Sequence, residues 1–220
     1  MKKIMFNTPL GLEQAAIDGR KTMTRRFLNV PKRFHGVDAP QLEFHKNAKG
    51  LYFDCVLIDD NGHELGQLPL PYEVGEIVAI AQTYENAILS VGEDKWNELH
   101  KWYCVENLRA RIGLHNKMFV KADLMPNRIQ MTDLWFEHLQ DISDEDCLRE
   151  GIYAHTVQLD ETPGVKPYTS YSYNMLLGSN IKRWWFDTPR KAFAALIDKL
   201  NGKGTWDSNP WVVVYPYIRV

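Results

Sequence analysis

A chain of 220 residues with a net charge of −2 can bury a core of ordinary size but has no global pull toward polyanions, so a long DNA duplex is not an expected partner. Its 45% hydrophobic and 25% charged residues are those of a globular protein rather than a disordered or fibrous one. Three scattered cysteines (Cys55, Cys104, Cys147), seven histidines without metal-ligand spacing, and glycines that form neither a P-loop nor a Gly-x-Gly-x-x-Gly give no support for a metal, a redox pair or a phosphate-bound cofactor, and none is expected. No apolar run approaches the ~20 residues of a membrane span and the first ten residues lack a signal-peptide core, so a cytoplasmic location without membrane contact is expected.

In chain order, Lys3 to Phe6 reads as a short strand, and residues 8–19 as a helix. Thr8 is its cap, Pro9 its first turn, Leu12, Ala15 and Ala16 its apolar face, and Gly19 its stop. Lys21 follows directly. Residues 27–66 look loop-rich around one strand, Tyr52 to Ile58, with a hairpin turn at Asp59-Asp60-Asn61-Gly62. A strand over 76–82 follows the turn at Tyr72-Glu73-Val74-Gly75. Trp96, Leu99, Tyr103 and Leu108 recur at helical spacing and predict a helical insertion over 93–112. Residues 128–139 return to strand and lead into Ser143-Asp144-Glu145-Asp146, a capping-box pattern whose helix ends at Gly151. Pro, Gly, Ser and Tyr dominate 153–180, which reads as one long loop and a candidate lid. Thr188-Pro189 opens a last helix with Ala192, Phe193, Leu196, Ile197 and Leu200 as its stripe. The closing strand, 211–219, contains Pro216 and is therefore expected at a sheet edge or with a bulge. Strands separated by helices at irregular intervals, with no linker, predict a single domain over 1–220 of mixed α+β type built as a barrel.

The chemistry concentrates in Gly19-Arg20-Lys21-Thr22-Met23-Thr24-Arg25-Arg26, four cations in eight residues. From composition alone this is a solvated basic turn. It also resembles the G-x-K-T-x-T-x-R signature that opens ASCH domains, relatives of the PUA fold associated with RNA metabolism. Three further segments are similar, in order, to the larger phage-associated branch of that family: Pro71 to Glu76, Leu139 to Ile152, and Trp206 to Tyr215. The resemblance implies a PUA-like β-barrel with flanking helices and a pocket for RNA or a nucleoside-type small molecule. Small bacterial members of the family hydrolyse N(4)-acetylcytidine with a lysine, a threonine and a glutamate, and by motif position these fall on Lys21, Thr24 and Glu150. Arg20, Arg25 and Arg26 then supply the ligand-binding field.

Such chemistry needs a base or nucleophile, a stabilised oxyanion and a proton for the leaving amine. A lysine serves only when neutral, so its ordinary pKa near ~10.4 has to fall by roughly 3 pH units, about 4 kcal/mol, through burial or neighbouring cations. The chain departs from the family where Glu76 and Ile80-Ala81-Gln82 replace an Asp and a Val-Arg-Glu strand end, which removes two charges near the expected pocket mouth. Trp184-Trp185-Phe186 beside Lys182-Arg183 can be read as a core anchor or as a base-stacking element. Three functions stay open at this stage: a metal-independent amidohydrolase on an acylated nucleoside, a non-catalytic RNA-binding or nucleotide-sensing module, and a ribonuclease in the same cleft.

Overall fold

The sequence Val-Val-Val-Tyr-Pro-Tyr near the C-terminus is apolar on both strand faces, and such a strand needs cover on both sides. In the computed structural model, which describes residues 1–89, 108–157, 168–177 and 180–220, residues 212–217 are all buried. The elements in chain order are β1 (Lys3–Ile4), α1 (Leu12–Ile17), β2 (Met23–Phe27), β3 (Arg33–Phe34), β4 (Val37–Asp38), β5 (Gln41–Lys46), β6 (Tyr52–Ile58), β7 (Glu64–Gln67), β8 (Ile77–Ile80), α2 (Tyr84–Leu89), α3 (Leu108–His115), β9 (Arg128–Met131), β10 (Trp135–His138), α4 (Asp144–Arg149), β11 (Tyr153–Val157), β12 (Tyr168–Leu177), β13 (Asn180–Phe186), α5 (Pro189–Asn201) and β14 (Trp211–Arg219). Strands thus outnumber helices in an α+β arrangement, as expected. The main sheet is six-stranded, runs β1-β8-β9-β14-β10 with β2 also on β14, and curls into a half-barrel. None of the described helices is long and apolar enough to cross a membrane.

The terminal strand is central and its ladders run without a register shift, which corrects the expectation of an edge or a bulge. β2 covers one side of it, with Thr24 opposite Tyr215 and Met23 opposite Pro216, while β10 and then β9 cover the other. Pro216 is tolerated because its carbonyl accepts from the Thr132 N–H at 3.0 Å. In an antiparallel ladder a residue's N–H and C=O point to the same side. The missing donor therefore faces residues 132–134, where the partner passes from β9 to β10, and no ladder bond is lost. The expected strand over 128–139 is accordingly two strands.

Three other expectations change. The region 27–66 is not loop-rich around one strand: β3 pairs with β4, and β5, β6 and β7 form a three-stranded sheet. Residues 153–157, 168–177 and 180–186 are not a long loop but a three-stranded antiparallel meander, β11-β12-β13. The Pro and Gly residues that suggested a loop lie at 163–167 and 178, outside the described residues. The period-two set Tyr171, Tyr173 and Met175, facing Trp184 and Phe186 across the ladder, packs on the core. α1 starts at Leu12 rather than at Thr8-Pro9, because Gly11 is left-handed (φ +68) and closes a turn onto the Thr8 carbonyl at 2.9 Å. The Thr8 hydroxyl donates instead to Glu13 Oε2 at 2.6 Å. Of the expected helical insertion, residues 93–107 lie outside the described residues and 108–112 fall in α3.

The two later capped helices form as read. Ser143 Oγ accepts from the Asp146 N–H at 3.1 Å to start α4. Thr188 Oγ1 does the same for Lys191 at 3.2 Å at the start of α5, whose Ala192, Phe193, Leu196 and Ile197 are buried in the main core.

Burial of acidic side chains sets the alkaline limit of this fold. The Cys55 and Cys147 thiols are pushed up to about 12 by burial, and burial raises the Tyr72, Tyr84, Tyr173, Tyr215 and Tyr217 hydroxyls. Each stays neutral in the fold after its unfolded counterpart has ionised, so the native state holds more protons above about pH 9 and stability falls as pH rises. Denaturant titrations between pH 7 and 11 should show a plateau to about pH 9 and then a decline. The tyrosinate absorbance that belongs to these five tyrosines should rise with unfolding rather than ahead of it. A stability that climbs through this range would contradict the assignment.

Candidate active site

Gly19, left-handed at φ +76, ends α1 and turns the chain so that the Arg20 and Lys21 N–H groups both reach back to the Ala15 carbonyl. Thr22 is then held between two distant elements. Its N–H donates to the Arg149 carbonyl at 2.9 Å, and its carbonyl accepts from the Tyr217 N–H at 2.9 Å. The far end of α4 is shaped by Gly151 at φ +111, where an added Cβ would sit 3.2 Å from Leu12 Cδ2. Glycine therefore lets the end of α4 lie directly on α1, and Glu150 meets Lys21.

Lys21 and Glu150 are 3% and 5% exposed. Lys21 Nζ donates to Glu150 Oε2 at 2.5 Å, to the Glu150 carbonyl at 2.9 Å and to the Met23 carbonyl at 2.8 Å. The other carboxylate oxygen, Oε1, accepts from Arg25 Nη1 at 3.0 Å. Arg25 Nε and Nη2 close on Glu137 Oε1 at 2.8 and 2.7 Å, and Nη2 lies 3.4 Å from Asp146 Oδ2. Glu137 Oε2 accepts from the Trp135 indole N–H at 2.8 Å. The strand register explains the reach: Arg25 and Glu137 lie opposite Val214 and Val212, on the same face of β14 and on its two flanks.

Burial is the largest influence on the Lys21 amine and pushes its pKa below the ordinary lysine value; Glu150 opposes this, and Arg26 and Arg25 reinforce it. Arg25 goes the other way, because Glu150 and Glu137 outweigh the effect of its burial. Three acceptors around Nζ are the geometry of an ammonium, yet the medium favours neutral groups. The short Lys21–Glu150 contact lies where these two demands meet.

A cavity of about 170 Å³ adjoins this network, lined by Phe6, Lys21, Thr24, Arg26 and Glu150 together with apolar residues of α5. That is about six water volumes, the scale of one small substituted ring. Two of the lining groups are open. Thr24, 4% exposed, makes no side-chain hydrogen bond to a described residue. Arg26 donates through Nη2 to the Met5 carbonyl at 3.3 Å, but its buried Nε has no partner among the described residues. The structure thus brings Lys21, Thr24, Glu150, Arg25 and Arg26 together. Arg20 is not among them: it stacks on the Tyr153 ring at 3.7 Å and donates to the Gly151 carbonyl at 2.6 Å. Arg25 is at the site, but as an anchor for Glu150 rather than as a free ligand donor.

Sequence reasoning missed Glu137 and the hydroxyl of Tyr217, which is buried beside Phe6 with no partner among the described residues. The available signal for Glu137 was a carboxylate inside the otherwise apolar run Leu-Trp-Phe-Glu. A larger cavity of about 630 Å³ lies along β6 and the 69–74 turn; among the described residues its charged lining is Asp54, Glu73 and Asp133, with no cation. Among the described residues no group of three or more His, Cys, Asp or Glu could hold a metal ion.

Replacing Glu150 by Gln leaves Lys21 and Arg25 facing one another without their shared anion. We expect the variant to unfold about 3 kcal/mol earlier in chemical denaturation. A loss below about 1 kcal/mol would mean that the network is as weak as a surface pair.

Set against known proteins, the chain matches no family model, no curated protein and no solved structure.

Proposed function

We propose that this half-barrel is an ASCH-type, PUA-like domain and that its small cavity hydrolyses an amide on a nucleobase-sized ring, as in an acylated nucleoside such as N(4)-acetylcytidine, without a metal. The observation that carries the reading is the 2.5 Å contact between Lys21 and Glu150 in the wall of a cavity where Thr24 and Arg26 stand open.

The chemistry balances. Transfer of one proton from Lys21 Nζ to Glu150 Oε2 leaves a neutral amine and a neutral carboxylic acid, the form that burial favours. The amine then takes a proton from a water as the water oxygen attacks the amide carbonyl carbon. The tetrahedral oxyanion is met by the Thr24 hydroxyl and the Arg26 N–H. The carbon–nitrogen bond breaks as Glu150 gives its proton to the leaving ring amine. Lysine ends protonated and glutamate ionised, which restores the resting ion pair. The cavity's size fits the base and its acyl group, with the ribose outside.

A second reading has an observation of its own. All three Lys21 protons have acceptors, as suits a permanent ammonium in a non-catalytic RNA-binding or nucleotide-sensing module. Lys21→Arg separates the two, because a guanidinium keeps its charge and cannot act as a base. We expect purified protein to release cytidine and acetate from N(4)-acetylcytidine. Lys21→Arg and Lys21→Ala should each lower kcat at least about 100-fold, and the pH–rate profile should be a bell whose two limbs belong to the coupled pair. Turnover that survives in Lys21→Arg, or substrate left intact by the native protein, would overturn the hydrolase.

A further inference from the structure

The meander has a second face that the cavity does not use. Tyr171, Tyr173, Met175, Trp184 and Phe186 turn inward, so the alternation of the strands sends Tyr153, His155, Ser172, Arg183 and Trp185 to the opposite side. Tyr153 and Trp185 both lie directly across from Ser172, one on each neighbouring strand, and form a row over the sheet. The small serine leaves room between the two rings, and His155 occupies it. Its Nε2 lies 2.9 Å from Ser172 Oγ, and its ring centroid is 4.8 Å from that of Trp185 and 5.9 Å from that of Tyr153.

The row is apolar at its centre and cationic at its flanks. Trp185 is 53% exposed although its sequence neighbours Trp184 and Phe186 pack on the core. Arg183, next along the same face of β13, is exposed and makes no ion pair with a described residue. At the opposite flank Arg20 holds its guanidinium over the Tyr153 ring, 3.7 Å from its centroid; the carboxylate that acts on it is Asp18. An indole left in water on a sheet, steadied edge-on by a histidine and bracketed by two arginines, offers a flat stacking surface between two phosphate-sized positive charges.

We propose that this face binds a single-stranded polynucleotide, one base stacking on Trp185 and the adjoining phosphates contacting Arg183 and Arg20. A duplex is a poor fit, since its bases are already stacked and its backbone asks for a broader basic surface than two arginines. Arg20 adjoins Lys21 in sequence, and Gly151 and Tyr153 closely follow Glu150, so a strand on this face would lie against the outer side of the wall that carries the ion pair. The inference goes beyond the amide chemistry and does not depend on it.

The test is fluorescence anisotropy of the full chain with labelled single strands of about 12 nucleotides, one RNA and one DNA, and with the matching duplex, at low and moderate salt. Single strands should bind, with quenching of tryptophan emission. Trp185→Ala should weaken binding about tenfold and Trp185→Phe less, while Arg183→Ala should flatten the salt dependence by roughly one phosphate contact. Because both side chains are exposed, thermal melts of these variants should match the native protein. Hydrolysis of free N(4)-acetylcytidine, if present, should be unchanged in Trp185→Ala, so a failed hydrolase and a failed strand-binding face give different results. RNA binding tighter than DNA, or the reverse, supports the proposal and identifies the natural strand. Equal binding by the native, Trp185→Ala and Arg183→Ala proteins, tighter binding of duplex than of single strand, or no binding to any oligonucleotide would overturn it.

Discussion

Four ionic side chains, Lys21, Glu150 and Arg25 withdrawn from water and Glu137 half-buried, tie together the turn after α1, the edge strand β2, the strand β10 and the end of α4. Ions withdrawn from water are tolerated only when each charge is opposed and each proton or lone pair is matched, since the residual penalty is several kcal/mol per ion. Here the matching is close to complete: one Glu150 oxygen takes Lys21, the other takes Arg25, and the rest of Arg25 closes on Glu137. Apolar residues of similar volume would hold the same elements at least as well. Stability alone therefore does not account for the network, and the proton transfer proposed above would use it.

The sheet makes this network possible by geometry rather than by sequence proximity. β14 lies between β2 and β10, so one strand supplies the cation and another the carboxylate over the backs of Val212 and Val214. The alternation that sends Arg25 to that face sends Thr24 and Arg26 to the other. Because β2 pairs only with β14 among the described residues, side chains from both of its faces can reach the cavity. The same period of two divides the meander into an inward aromatic set that braces the core and an outward row around Trp185.

Local signals were legible where a single residue type has one physical use. Ser143 and Thr188 cap their helices as read, and Gly19 and Gly151 take the left-handed conformations that other residues adopt only with strain. Signals with two uses misled. Proline in a strand reads as an edge or a bulge, yet Pro216 is central because its missing N–H falls opposite the break between β9 and β10. Serine, glycine and proline over 153–180 were taken for a loop, although the Tyr171-Tyr173-Met175 alternation carried the opposite message. Of the cationic run, composition could not tell which arginine faces the cavity, which anchors Glu150 and which stacks outside on Tyr153.

By itself the sequence determined the caps at Ser143 and Thr188, the stops at Gly19 and Gly151 and the turn that delivers Lys21, because each depends on backbone preferences acting within a few residues. The meeting of Lys21 with Glu150, 129 positions away, the bridging of Glu150 to Glu137 by Arg25 and the exposure of Trp185 between two buried aromatics were decided by the tertiary structure. These depend on sheet register and on the close approach of α4 to α1, and no local preference encodes either one.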